Sequence, residues 1–313
     1  MPPGGSMLRS WIALTIALVT LSGSALDGQR PAYRSGVDLV VLNVTVTDTA
    51  KRYVVDLERD DFVVLEDGRQ QAPTFFSKPR VPLALALLLD TSASMQQALP
   101  TAQAAAAGFV QELGRTDVGT AIGFDSRLKI LHGPSQSRIA LEAAIRSTTA
   151  DGATSLYDAV YITLKELNKM RPKNRTLAER RPVMVVLSDG EDTSSLVSLD
   201  DVLDLATRSD TIIYSIGLGR PQLAGVWSPR DAPYVLRRLS QQTGGRVFFP
   251  QDPRDLEGVY SDIKEELASQ YLVAYEPAIR QNDGQWRNIS IQLSRGGLMA
   301  RTKRGYYDGT ENQ

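Results

Sequence analysis

The sequence predicts an α/β protein: a doubly wound, mostly parallel sheet, with a small β-sandwich formed by the N- and C-terminal flanks. Three observations predict it. Two segments, "VPLALALLLD" and "RPVMVVLSDG", are apolar on both faces, as strands of a parallel sheet are, and each runs into an aspartate. Between and after them, strand and helix patterns alternate, which is the signature of a parallel sheet. Short β-patterned segments lie at both ends of this alternation, each too small to be stable alone.

The elements follow in order. Arg9 precedes the apolar run "WIALTIALVTL", and small residues follow in "SGSA". The run is shorter than the ~20 residues of a membrane span. Residues 1–25 therefore read as an export signal cleaved near Ala25, with a periplasmic or extracellular destination. Residues 34–80 read as the first β flank. In "VDLVVLNVTVTD", Val40, Leu42, Val44 and Val46 share a buried face, while the other face turns polar and exposed at Asn43, Thr45 and Thr47. "DFVVLEDGRQQAPTFF" reads as two strands around a Glu66-Asp67-Gly68 turn.

Residues 81–268 read as the α/β domain. After "VPLALALLLD" comes an Ala-rich helix ending near Gly114, then the strands "VGTAIGF" and "SRLKILH" and the helix "SRIALEAAIRS". "SLYDAVYITLKELNKM" is the clearest helix, because Leu156, Val160, Leu164 and Leu167 recur on one face. "RPVMVVLSDG", the helix "SLDDVLDLATRS" and the strand "TIIYSIGL" come next, followed by an irregular loop, "GRPQLAGVWSPRDAP". The helix "YVLRRLSQQTGG", the strand "RVFFP" and the helix "LEGVYSDIKEELASQ" complete the domain. Residues 269–308 return to β as "YLVAYEP", "WRNISIQLS" and "LMARTKRGYYD", and should pair with the first flank.

Composition narrows the chemistry. The 313 residues contain no cysteine, which excludes thiol nucleophiles, disulfides and cysteine-ligated metals. The lone histidine, His132, sits at a strand end without a G-x-S-x-G motif in the chain, and reads as structural. A net charge of −1 gives no electrostatic case for nucleic acid.

Ligands of doubly wound sheets bind outside the carboxyl ends of the strands. Asp90 and Asp189 are each the first acid after a buried strand, so both belong at that edge. Asp90 brings Ser92 and Ser94 with it, and Thr154 precedes the clearest helix. Two acids and three hydroxyls are all oxygen donors, the set preferred by Mg²⁺, Mn²⁺ or Ca²⁺, with Mg²⁺ the first expectation. The alternative is that the hydroxyls cap a helix and the acids satisfy loop amides. Asp125 and Asp158 read as solvated or capping acids, with a supporting role at the site as the other reading.

Asp90-Thr91-Ser92-Ala93-Ser94 resembles the D-x-S-x-S motif of von Willebrand factor type A domains. Thr154 in "GATSLYDA" and Asp189 in "VMVVLSDGED" resemble the second and third segments of that family's metal-ion-dependent adhesion site, so each position of the site is filled. The resemblance covers about residues 81–268, and the flanks resemble a secreted, A-domain-related family abundant in acidobacteria. It implies that Ser92 and Ser94, with Thr154 as a third hydroxyl, bind the ion, and that Asp90 and Asp189 bind through water or switch to direct contact. It further implies a non-enzymatic module whose protein partner supplies Asp or Glu as the last ligand. Two rivals remain. One is an A-domain that assists an ATPase machine, which the export signal disfavours. The other is an aspartic-type hydrolase, but Ser92 replaces the glycine that its motif needs.

Overall fold

A computed structural model of the chain describes residues 39–78, 81–169, 180–189, 191–218, 231–279 and 281–309. The expected leader, residues 1–25, and most of the loop 219–233 lie outside the described residues. The first flank holds β1 (Val40–Asp48), β2 (Phe62–Glu66), β3 (Arg69–Gln71) and β4 (Pro73–Ser77). The α/β region runs through β5 (Leu83–Asp90), α1 (Leu99–Gln111), β6 (Val118–Phe124), β7 (Leu128–Ser135), α2 (Arg138–Arg146) and α3 (Leu156–Lys169). It continues through β8 (Arg181–Ser188), α4 (Leu199–Arg208), β9 (Ile212–Gly217), α5 (Ala232–Thr243), β10 (Val247–Phe248) and α6 (Leu256–Ser269). The second flank adds β11 (Tyr271–Tyr275), β12 (Trp286–Leu293), β13 (Leu298–Arg301) and β14 (Gly305–Tyr307).

The central sheet has six strands in the order β10-β9-β8-β5-β6-β7, parallel except for β7 at one edge. Its strands are apolar on both faces because both faces are covered. Leu85, Leu87 and Leu89 of β5 and Val183, Val185 and Leu187 of β8 pack in one cluster with α1, α2 and α6. Ala86, Leu88, Met184 and Val186 pack in a second cluster with α3, α4 and α5. Each buried leucine contributes roughly 1.5–3 kcal/mol. The helix after β5 and the helix after β8 thus lie on opposite faces, so the boundary between these strands is the point where the winding reverses. Asp90 and Asp189 emerge on either side of it.

The flanks pair with each other in two four-stranded sheets, β13-β1-β11-β4 and β14-β12-β2-β3, with antiparallel neighbours throughout. Between them lie Leu42, Val44 and Val46 of β1, Val64 of β2 and Val273 of β11, with Phe62, Phe76 and Tyr271 in mutual ring contact. Three expectations are corrected here. The stretch after the Glu66-Asp67-Gly68 turn is not one strand. It breaks at Ala72 into β3 and β4, which join different sheets. Pro73 can begin β4 because β4 is an edge strand and a missing donor is tolerated there.

"LMARTKRGYYD" likewise divides into β13 and β14, again in different sheets. Gly305 allows the second piece to close on β12, since a Cβ there would stand 2.2 Å from the carbonyl oxygen of Arg287. Finally, Thr45 is buried, at 3% exposure, where the alternation of β1 suggested an exposed face. That face lies against the α/β region: Thr45 Oγ1 accepts from Gln270 Nε2 at 3.1 Å and donates to Glu266 Oε1 at 3.5 Å.

Candidate functional site

β5 ends between β6 and β8, and its last residue is Asp90, fully buried. The carboxylate accepts from Ser92 N at 2.9 Å on one oxygen and from Ser188 Oγ at 2.5 Å on the other. Ser188 can do this because it closes β8 beside β5: Leu89 pairs with Leu187, so the next residues of the two strands stand side by side. Burial pushes the Asp90 carboxyl above its ordinary range. The bonds from Ser188 and Ser92 pull it back in part, and the charge of Asp189 adds to the rise. A buried carboxylate that resists ionisation is stabilised by a nearby cation.

The turn after Asp90 is a short 3-10 helix, Ala93–Gln96, anchored in the core by fully buried Met95. Its N-cap, Ser92, is extended, and the turn brings Ser92 Oγ within 3.0 Å of Ser94 Oγ. Ser94 Oγ in turn donates to Asp189 Oδ1 at 2.8 Å. Four of the five residues expected from the sequence are therefore linked directly or through one bond: Asp90, Ser92, Ser94 and Asp189.

Thr154, the fifth, joins through backbone bonds. Gly152 takes a left-handed φ of 78°, which favours glycine, and its carbonyl accepts from Ala93 N at 3.0 Å. Thr154 itself is 5% exposed. Its N–H donates to Thr193 Oγ1 at 3.0 Å, and its carbonyl accepts from the N–H groups of Thr193 and Ser194 at 2.9 and 3.1 Å. Its hydroxyl belongs to a loop that the Asp90 turn and the Asp189 loop grip from either side.

The other acids have structural tasks. Asp158 caps the loop after β8, accepting from Leu196 N and Val197 N at 3.0 Å each, as a capping reading requires. Asp125 is buried at 4% exposure and paired with Lys129 while accepting from Arg127 N at 3.0 Å, so it caps but is not solvated. Its carboxyl lies below the usual range because these bonds outweigh desolvation, which acts in the opposite sense. His132 is half-buried in β7, with Nδ1 2.8 Å from the Gly133 carbonyl oxygen. Sequence reasoning missed Ser188 and Thr193. The signal for Ser188 was a hydroxyl at the end of an otherwise apolar strand; Thr193 lies in a loop of several hydroxyls, and nothing in the sequence distinguishes it.

The donor set fits a hard divalent cation. In an octahedron with bonds of about 2.1 Å, neighbouring ligand oxygens stand about 3.0 Å apart. The Ser92–Ser94 and Ser94–Asp189 oxygen pairs, at 3.0 and 2.8 Å, have that spacing already. Among the described residues, three His, Asp or Glu side chains converge nowhere in a metal-binding group, so a cation site in this region has to draw on hydroxyls.

No curated protein matches the chain. Among solved structures, a von Willebrand factor type A protein from Catenulispora acidiphila is similar with a TM-score of 0.51 and 12% identity, over 88% of this chain and 75% of its own. The vWF domain of the type V pili tip protein Mfa5 from Porphyromonas gingivalis gives 0.45 and 12%, over 58% of this chain and 94% of its own. Proximal thread matrix protein 1 from the mussel byssus, with a zinc-occupied MIDAS motif, gives 0.48 and 12% over 58% of this chain. This chain spans 47% of that mussel protein. At these identities the Catenulispora likeness is one of fold. Residues 84–262, more than half of the chain, match the von Willebrand factor type A domain, and with the doubly wound sheet around them this chain belongs to that family.

Proposed function

We propose that the chain is an exported, non-catalytic module that binds an acidic group of a partner protein through a divalent cation, with Mg²⁺ as the first choice. Von Willebrand factor type A domains generally mediate protein–protein interaction. The observation that carries the metal-dependent reading is the chain of oxygens Ser92–Ser94–Asp189, set at the winding reversal beside buried Asp90. Ser92, Ser94 and Thr154 would hold the ion with neutral hydroxyls, and Asp90 and Asp189 would add charge directly or through water. An ion held mainly by neutral donors keeps positive character, and a partner's Asp or Glu supplies the matching oxygen.

The binding reading is favoured over hydrolysis by the occupation of the two acids. Ser94 Oγ bonds Asp189, and both oxygens of Asp90 accept from protein groups, an arrangement of acids among hydroxyls that suits holding a cation. Export rests on the sequence of residues 1–25 and sets the ATPase-assisting alternative aside, because ATP is cytoplasmic. The likeness of the flanks to the secreted acidobacterial family accords with it.

The test is calorimetric titration of MgCl₂ into the protein and into Asp90→Ala, followed by capture of envelope proteins with and without EDTA. Saturable Mg²⁺ binding lost in Asp90→Ala, with capture lost in EDTA, is the expected outcome. Capture that survives both EDTA and Asp90→Ala would refute metal-dependent binding.

A further inference from the structure

Five aspartates of the chain precede a glycine: Asp67, Asp151, Asp189, Asp283 and Asp308. Such a pair can react with itself, because glycine has no side chain to keep its nitrogen away from the neighbouring carboxyl carbon. What separates the five is where each carboxylate is held. Asp67 Oδ1 accepts from the backbone and side chain of Asn288, at 2.9 and 3.1 Å. Asp189 accepts from Ser94. Asp283 accepts from Gln285 N and Arg287, and buried Asp308 from Gln281 N and Arg287. Each of these four is held by a group other than the glycine that follows it.

Asp151 differs. Its Oδ1 accepts from the N–H of Gly152 at 2.8 Å, so the nitrogen lies against the carboxyl group that it can attack. Reacting atoms about 3–3.5 Å apart make a near-attack arrangement, and this contact sets the two groups up for one. Both residues are exposed, so water reaches them. The peptide between them is also clamped to the turn after Asp90. Asp151 N donates to Thr91 O at 2.8 Å, and Ala93 N donates to Gly152 O at 3.0 Å. The clamp keeps the pair in this arrangement.

We propose that Asp151–Gly152 is a site of spontaneous isoaspartate formation, which unfastens the loop that carries Thr154. The chemistry needs only water. Gly152 N forms a bond to Cγ of the neutral Asp151 carboxyl, and the amide proton and the carboxyl OH leave together as one water. The succinimide ring so formed takes one water back. Opening at the side-chain carbonyl restores aspartate. Opening at the main-chain carbonyl leaves Asp151 joined to Gly152 through its Cβ and Cγ. The main chain is then longer by one carbon between two hydrogen bonds that grip the same turn, so the bonds to Thr91 and Ala93 cannot both persist. Thr154 follows two residues after Gly152. On the metal-dependent reading above, on which this consequence alone rests, the cation then loses a placed hydroxyl.

The experiment stores the folded full chain in water enriched in heavy oxygen and follows the Asp–Gly peptides by mass spectrometry. Each passage through the succinimide leaves one heavy oxygen, and isoaspartate is distinguished by its fragmentation. In the folded chain Asp151 should gain label about tenfold faster than Asp67, Asp189, Asp283 or Asp308. In urea the five should become alike. Hydrogen exchange at the Ala93 amide should quicken in the isoaspartate fraction. Asp151→Glu, whose ring would have to be six-membered, should stay unlabelled and age without that change. An Asp151 that gains label no faster than the other four, or whose lead persists in urea, overturns the site. An Ala93 amide unchanged in the isoaspartate fraction overturns the unfastening. Calorimetric titration with Mg²⁺ tests the cation separately: fresh protein that binds none refutes the metal-dependent reading and leaves the modification standing, and isomerised protein that binds as before refutes the consequence for the cation.

Discussion

Under the metal-dependent reading proposed above, stability and binding pull in opposite directions at Asp90. Its carboxyl is raised in the folded protein, chiefly by burial. A raised acid contributes stability below its unfolded value near 3.8, and that contribution is lost as pH rises through the folded value. In EDTA at neutral pH, ionised Asp90 therefore destabilises the fold, and Asp90→Asn should raise the melting temperature. The gain should vanish below about pH 3.8, where the wild-type carboxyl is protonated in both states. With saturating Mg²⁺ the order should reverse, because only the wild type gains binding energy. Thermal melts of both proteins at two pH values, with EDTA or Mg²⁺, check this. A destabilised Asp90→Asn in neutral EDTA would refute it. Ser188 tests the support of the same carboxylate. It donates to Asp90 from β8, so Ser188→Ala should lower Mg²⁺ affinity about 10–100-fold, as the loss of ligand-orienting groups does. Unchanged affinity in a calorimetric titration would mean that Asp90 needs no such orientation.

At the scale of elements, the contact between α6 and the flanking sheets is set by a buried polar group that the sequence hid. Glu266 is 1% exposed and pairs with Arg301 of β13 while accepting from Tyr214 OH of β9 at 2.6 Å. Gln270 bonds Tyr214 OH and Thr45 of β1, both at 3.1 Å, and receives Arg181 Nη1 of β8 at 3.0 Å. These residues come from five distant segments, and no local pattern points from one to another. Glu266 lies in the charged run of "IKEELASQ", and Thr45 on the polar half of an alternating strand. Local periodicity carries no information about which polar face will meet another. The candidate site differs, because its groups are contiguous motifs at the ends of strands whose apolar character locates them. The division of β3 from β4 and of β13 from β14 was also hidden, since a change of sheet needs only one to three linking residues. Glu266→Ala should cost about 1–3 kcal/mol, chiefly because it leaves the fully buried Tyr214 hydroxyl without its acceptor, while Arg301, 36% exposed, keeps solvent and the carbonyls of Gly244 and Gly245. Glu266→Ala combined with Arg301→Ala should cost less than the two singly. Urea unfolding of the three variants measures this, and an additive result would deny the coupling.

At the scale of the whole molecule, the sandwich and the α/β region should unfold together. Gly36–Gln313 form one compact unit. Only Gln270, itself 1% exposed, separates α6 from β11, and β11 is the inner strand that holds β1 and β4 together. The Glu266 network adds bonds from both sheet systems to the same helix end. Neither side can open without exposing those buried groups, which makes partial unfolding costly. The consequence reaches the proposed cation site. Mg²⁺ bound only to the native state stabilises by about 2.7 kcal/mol at a hundred times its dissociation constant. If unfolding is all-or-none, that stabilisation belongs equally to strands far from the ion. Hydrogen exchange should therefore slow by one common factor at the inner amides of β5 and at those of β1 when Mg²⁺ is added, provided that exchange there proceeds through global unfolding. Calorimetry should show a single transition whose calorimetric and van't Hoff enthalpies agree. Two resolved transitions, or protection by Mg²⁺ that stops at the central sheet, would show that the flanks are an independent unit and that the buried Glu266 contact does not couple them to the site.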